Sequence, residues 1–474
     1  MNVKLTDAQL RYKDLLKLEY GRYYPLIDWI SSDDADRLNR QRKELLKKLK
    51  PVVESGCNGT KPDVSKLSPG CRLCAAGQWS CLFINGRCNA NCFYCPAPQD
   101  DKQAVPQSNG LEFGTPEAYV RYIKQFGFKG ISLSGGEPFL DFERSLTYLK
   151  AAKEAFGASV HVWLYTNGIL ATREKLIALR DAGLDEIRFD VGAVNYDLTQ
   201  LRLAVGVIPV VTVEIPAVPD EYERLKMLVR EMADAGVDYL NLHQMRMTRH
   251  NMPGFIERGL ELSHGKRPTV PRSEITALKL MLYVKTEGID LPVNYCSFAF
   301  KDRYQHAAAR FRHAKIIKED YEDVTSNAYI RSMALQGNGG DIQKAVRCLR
   351  EERPGWEWYF EENSKRLFVT RTALESLSYT EGLRLYVGYH NTRIRREHDL
   401  SLAGRRVQLD TENSVYIERR PDGPETEIPS GEIPDFRQLI ASGFKKNNFD
   451  PDRYEQWYPL IYHEFIEQGL PDYY

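Results

Sequence analysis

The chain has no excess of either charge: Lys+Arg and Asp+Glu both number 65. It therefore lacks the general basic footprint that draws a protein to nucleic acid or to an anionic membrane surface. No apolar run is long enough to span a bilayer, and no signal-peptide core stands at the start. Those absences set the expectation of a cytoplasmic protein with neither membrane nor nucleic-acid partner. Internal repeats and low-complexity tracts are also missing, which argues against a solenoid or a disordered array. Cysteine is nearly absent from most of the length, with only Cys296 and Cys348 beyond residue 95, so no disulfide framework runs through the fold.

What cysteine there is lies in one place. Seven of nine (Cys57, Cys71, Cys74, Cys81, Cys88, Cys92, Cys95) crowd into one short stretch of a 474-residue chain. That length allows two or three domains, and 42% hydrophobic residues supports real cores. In a large chain without an export signal, such crowding points to metal-bound thiolates in a reducing compartment. Cys88-Asn-Ala-Asn-Cys92-Phe-Tyr-Cys95 spaces three thiols as C-x3-C-x2-C. Four thiolates close an iron–sulfur cubane, whereas three leave one iron free to bind a small molecule. Cys71 and Cys74, spaced C-x2-C, together with Cys81 resemble a metal knuckle, with Cys57 or Cys296 as a fourth ligand. An auxiliary iron–sulfur cluster, a structural zinc and unligated thiols are the alternatives there. Cys348, alone on a helical stretch, reads as a small buried hydrophobe.

Residues 1–70 read as a polar helical segment, with a heptad-like run from Asp34 to Val53. From about Trp79, apolar strands alternate with amphipathic helices in consecutive βα units. Six strands are expected, at Cys81–Ile84, Gly130–Leu133, Val160–Tyr165, Glu186–Phe189, Val210–Glu214 and Tyr239–Leu242, with Leu291–Tyr295 extending the core. The fold class is α/β: a partial (βα)6 TIM-like barrel over residues 71–300, preceded by the helical segment. A C-terminal α+β domain without recognisable chemistry is expected over residues 301–474. Its extended segments are Trp356–Phe360 paired with Arg366–Thr370, then Leu383–Tyr389 and Val407–Arg419.

A barrel of this kind keeps its chemistry at the carboxyl ends of the strands. Ser134-Gly135-Gly136-Glu137-Pro138 directly follows the second strand, with two glycines that permit close backbone approach and a carboxylate suited to an ammonium group. Thr166-Asn167-Gly168 ends the third strand with short polar groups, or is simply an Asn-Gly turn into a helix. Asp190 and Glu214 end the next two, Glu214 having a salt bridge within the barrel as its alternative. The sixth strand ends in His243-Gln244-Met245-Arg246, a charged and hydrogen-bonding set suited to holding substrate, with a structural role as the alternative for His243.

The C-x3-C-x2-C loop followed by Gly135-Gly136-Glu137 resembles the radical S-adenosylmethionine superfamily, over roughly residues 80–245. The resemblance implies that Cys88, Cys92 and Cys95 bind a [4Fe-4S] cluster whose open iron is chelated by S-adenosylmethionine. It implies that Glu137, with Gly135 and Gly136, orients the methionine amino group, and that Tyr94 lies by the adenine. Contacts to the rest of the cofactor are expected from Thr166, Asn167, Asp190 and Glu214. The activity implied is reductive cleavage to a 5′-deoxyadenosyl radical for hydrogen abstraction, with a reductant such as ferredoxin or flavodoxin. In motif style the chain is similar to the branch of the pyruvate formate-lyase activating enzymes and the molybdopterin-pathway cyclase. It departs from the glycyl-radical activases in lacking their Asp-x-Lys lysine after the fourth strand, where Phe189-Asp190-Val191-Gly192 stands, and in its added C-terminal domain. A protein or peptide substrate is expected, with an RNA base or a small metabolite as the other substrate classes. A non-catalytic iron–sulfur electron carrier or redox sensor is the reading from a different functional class.

Overall fold

The structure, a computed structural model, describes residues 7–99, 105–378, 380–395, 403–409, 413–442 and 457–474. The chain divides into two compact units, Met1–Gln305 with Gln468–Tyr474, and His306–Glu467.

The first unit is built on seven parallel strands: β1 Trp79–Asn85, β2 Gly130–Gly135, β3 His161–Thr166, β4 Glu186–Phe189, β5 Val210–Pro216, β6 Tyr239–His243 and β7 Val293–Cys296. Each pairs with the next in an open path, the partial barrel expected, with the seventh strand joined to the six. A short hairpin, Gln107–Ser108 with Leu111–Glu112, pairs antiparallel on the β1 edge. Asn109-Gly110 makes its turn, both residues at positive φ (53° and 78°), the backbone that favours Asn-Gly in two-residue hairpins.

Local chemistry explains the helices between the strands. Thr115 caps Pro116–Phe126, its Oγ1 accepting from Ala118 N at 3.3 Å, and Gly127 ends that helix at φ 64°. Tyr222–Ala235 buries Leu225, Leu228, Val229 and Met232 and stops at Gly236, φ 83°. One face of the strands is fully buried, with Leu82, Ile131, Leu164, Ile187, Val213 and Leu242 all at 0% exposure.

The division differs from the expected one at both ends of the chain. The helix Ser32–Leu49, capped by Ser31, groups with the barrel because its buried Arg42 pairs with Glu274 of helix Pro271–Thr286 at 3.2 Å. The last residues return to the same place: Arg42 donates to Pro471 O at 2.7 Å and to Asp472 Oδ1 at 2.8 Å. A buried guanidinium needs several acceptors, and these far-apart segments supply them.

The second unit is an antiparallel sheet in the order Trp358–Glu361, Arg366–Val369, Ile330–Gly337, Leu383–Arg395, Ser414–Pro421, Ala403–Gln408. Two features depart from expectation. Val407–Arg419 is not one extended segment: its two ends belong to separate strands that pair antiparallel, with Val407 opposite Val415. Ile330–Gly337, a strand not anticipated, lies inside the sheet. Its Arg331 is buried because Glu464 and Asp323 pair with it, both at 2.8 Å. Cys348 is half-buried against this unit's core. Among the described residues no helix is long and apolar enough to cross a membrane.

Candidate active site

The loop after β1 is held by the end of β2. Gly135 has φ 127°, and a Cβ there would stand 2.3 Å from Asn85 O; at Gly136 it would stand 1.8 Å from Arg87 O. Only glycine lets the two backbones meet so closely. The meeting is cemented by Gly136 N donating to Asn85 O at 2.9 Å, Glu137 N to Arg87 O at 2.7 Å, and Asn85 Nδ2 to Glu137 O at 3.1 Å. Arg87 precedes Cys88, so the glycine pair sets where the first thiol begins. Gly136→Ala should force the loop off this seat, costing about 1–3 kcal/mol as overpacking does. Anaerobically reconstituted variant should carry clearly less iron; wild-type iron and an unchanged urea midpoint would contradict this.

Glu137 points inward and is 1% exposed. Its carboxylate accepts from Phe139 N at 3.0 Å, Thr166 Oγ1 at 2.8 Å and Asn167 N at 2.7 Å. Burial pushes its carboxyl up, and these three donors oppose that. Through them β2 fixes the turn at the end of β3. Asn167 then reaches the cysteine loop, with Nδ2 at 2.7 Å from Asn89 Oδ1 and 3.7 Å from Cys88 Sγ. Tyr94 donates its hydroxyl to Asp190 Oδ1 at 2.9 Å and also lies within hydrogen-bond reach of the Cys92 thiol. Asn251, which the sequence did not flag, donates to Tyr94 O at 3.0 Å, and Thr248 Oγ1 to Pro96 O at 3.0 Å, bracing the loop from beyond β6.

Thus Cys88, Cys92, Cys95, Tyr94, Gly135, Gly136, Glu137, Thr166, Asn167 and Asp190 converge at the carboxyl ends of β1 to β4. The three cysteines are partly exposed and close together: Cys92 feels the charges of Cys88 and Cys95, and Cys88 feels that of Cys95. Burial, then the Asp190 charge, pushes the Cys92 thiol up to about 12, and burial raises Cys88. Burial lifts Asp190 to about 7 against the hydrogen bond from Tyr94. Among the described residues no three His, Cys, Asp or Glu side chains stand in metal-ligand geometry around one point. The donor set nonetheless suits a cluster with one open iron: three thiols on one short loop, with neighbours offering amides and hydroxyls rather than a fourth thiol.

Glu214 is placed differently. It lies in a buried network where Arg188 donates to Glu186 Oε1 at 2.8 Å and Glu214 Oε2 at 2.7 Å. Asn241 Nδ2 donates to Glu214 Oε2 at 3.0 Å, and His243 Nε2 lies 2.7 Å from Oε1. The Lys301 ammonium, which can only donate, stands 3.2 Å from His243 Nδ1. That contact puts the imidazole proton on Nε2, pointing at Glu214. Burial, then Lys301, lowers the His243 pKa, which agrees with a neutral ring.

Of the second cysteine set, Cys71 Sγ meets Asn241 Nδ2 at 3.1 Å, and Cys74 Sγ accepts from Gln305. Cys81 lies elsewhere, on β1, hydrogen-bonded by Ser132 and Ser134 and beside Glu214 and Arg188.

The profile of the Radical SAM superfamily matches residues 82–242. A protein of Methanocaldococcus jannaschii, whose name provisionally makes it a glycyl-radical enzyme activating enzyme, is 31% identical over 325 residues, 66% of this chain and 84% of that protein. The GTP 3′,8-cyclase of Staphylococcus carnosus is 33% identical over 122 residues, 25% of this chain and 35% of its own. Among solved structures, Streptococcus suis SuiB bound to S-adenosylmethionine aligns with 65% of this chain and 73% of its own, at 12% identity and a TM-score of 0.35. That likeness is too low to carry an argument about activity.

Proposed function

Because the chain belongs to the radical SAM superfamily, an enzyme family that works with a [4Fe-4S] cluster and S-adenosylmethionine, we propose that it abstracts a hydrogen atom from a protein or peptide substrate. Cys88, Cys92 and Cys95 hold the cluster. The cluster that they would hold would supply, once reduced by an external electron donor, the electron for reductive cleavage of S-adenosylmethionine. The observation that carries this assignment is the convergence of the cysteine loop with the Gly135-Gly136-Glu137 turn and Asn167 at adjoining strand ends.

Glu137 acts chiefly by holding neighbours. Its carboxylate orders the Thr166-Asn167 turn, which sets the Asn167 side chain beside the cysteine loop. Tyr94 and Asp190 form the opposite wall through their shared hydrogen bond. Glu214, tied to Arg188 and His243, sets the ring of His243 at the end of β6, where a substrate group would meet it. Glu137→Ala would leave buried donors unmatched, and should weaken S-adenosylmethionine binding by about tenfold or more. Its iron content should stay near wild type. Equilibrium dialysis with labelled cofactor separates the two quantities, and unchanged affinity would remove Glu137 from the site.

The substrate reading is supported by the Methanocaldococcus jannaschii relative, matched over most of its length. In that reaction class a glycine Cα–H bond of a partner protein is broken, the hydrogen atom passes to the 5′ carbon, and a backbone radical remains. The test supplies reduced enzyme and S-adenosylmethionine with host-cell protein labelled by Cα-deuterated glycine, or with the small-molecule fraction of the same cells. Deuterium in 5′-deoxyadenosine from the protein arm is the expected result. Transfer from the small-molecule arm alone would overturn the substrate class, and absence of 5′-deoxyadenosine in both would overturn the enzyme.

A further inference from the structure

A second group of thiols gathers beside β6 and β7, around a buried lysine. Cys71 and Cys74 stand three residues apart on helix Pro69–Ala75, and so share a face. Asn294 and Cys296 stand two apart on β7, and so share a side of the strand. Asn294 joins the two elements, its Nδ2 3.6 Å from Cys71 Sγ. The turn that starts at Cys57 packs there as well: Thr60 donates to Cys57 O through both N and Oγ1, and Ser297 Oγ donates to Thr60 O at 3.4 Å.

Lys61 closes this turn and is 1% exposed. Its Nζ donates to Asn294 Oδ1 at 2.9 Å and lies 3.9 Å from the centre of the Phe300 ring. Among the described residues no carboxylate pairs with it, although a buried ammonium needs an anion nearby. The Cys57 and Cys74 thiols feel its charge, and each of them also feels Cys296.

We propose that Cys57, Cys74 and Cys296, with Cys71, form a second thiolate site for a soft metal centre, an iron–sulfur cluster or zinc, whose negative charge Lys61 offsets. A four-thiolate centre of either kind is a net anion, which is what the buried ammonium lacks. Metal would draw these side chains to a common point, as at the first loop. Cys81 belongs to neither set.

The test removes the first site. The triple variant Cys88→Ala, Cys92→Ala, Cys95→Ala is reconstituted anaerobically with ferrous iron and sulfide, or with Zn2+ alone. Metal retained at one centre per chain, and lost when Cys74→Ser or the half-exposed Cys57→Ser is added, is the expected result; which metal persists tells cluster from zinc. A triple variant that takes up neither overturns the proposal, as does one whose metal survives Cys57→Ser together with Cys296→Ser. In a chain with the first loop intact, Cys74→Ser tests the two readings separately. Metal falls while 5′-deoxyadenosine is still formed if both hold, whereas absence of 5′-deoxyadenosine from wild type would count against the active-site reading alone.

Discussion

Cys92→Ala should abolish 5′-deoxyadenosine formation outright and remove the iron of the loop cluster, while the rest of the molecule stays folded. Cys92 is the middle ligand in the proposed site, and the two thiolates left behind could not hold a cubane that needs three. The fold should tolerate the change because the side chain is half-exposed and anchors no strand or helix. What fixes the loop is the backbone seat at Asn85 and Arg87 together with the brace from Asn251 to Tyr94 O, and alanine at position 92 leaves both untouched. Anaerobic reconstitution, iron and sulfide analysis, and chromatography after dithionite and S-adenosylmethionine give the reading. Cys348→Ala, in the other unit, is the control and should match wild type. Full cofactor cleavage by the Cys92 variant would remove the loop as the cluster site and exclude the mechanism proposed. A protein that bound the cluster only to carry electrons would lose iron in the same way, but its wild type would form no 5′-deoxyadenosine.

The parts of this fold that were legible in the sequence are those where local pattern and tertiary demand coincide. Each strand of the barrel is a short apolar run flanked by turn residues, and the strands found begin or end within a few residues of those expected. The Thr115-Pro116 start and the Gly127 stop needed no tertiary information. The site was legible for a related reason, since the cysteine spacing and the Gly-Gly-Glu turn have their chemistry written in adjacent residues. What escaped were features defined by partners distant in the chain. Arg188 looks like a polar residue in a strand until Glu186, Glu214 and Ser68 close on it. Lys61 sits in a Gly-rich turn with no pattern to mark it, and acquires meaning only against Asn294 and Phe300. Cys81 was grouped with Cys71 and Cys74 by nearness in sequence, although strand pairing carries it to Ser132. Asn109-Gly110 was a missed local signal, readable as a hairpin turn without any structure.

The buried Arg188 makes the strongest prediction about stability. Its guanidinium is 3% exposed and serves Glu186 and Glu214 together with Ser68 Oγ at 3.1 Å. Arg188→Met keeps the apolar stem and removes the charge, leaving two buried carboxylates short of their main cation. At neutral pH the cost should be about 3–5 kcal/mol, the range for breaking a buried pair from one side. The pH dependence separates this cause from a simple packing defect. Burial alone would raise the Glu186 carboxyl; Arg188, then His161 and the Gly70 N–H, overturn that and hold it at about 2. Glu214 is likewise raised by burial and carried well below its ordinary range by His243 and Arg188. A depressed folded pKa contributes stability that is complete above the unfolded value and is lost as pH falls through the folded one. Wild type should therefore lose this contribution between the ordinary glutamate value and about 2. In the variant both carboxylates titrate higher, so acid relieves them earlier. The gap between the two urea midpoints should be widest at neutral pH and narrow steadily below the ordinary glutamate range. A gap that stays constant with pH would mean that Arg188 contributes shape alone, and the charge network under Glu214 and His243 would lose its role in orienting the sixth strand's histidine.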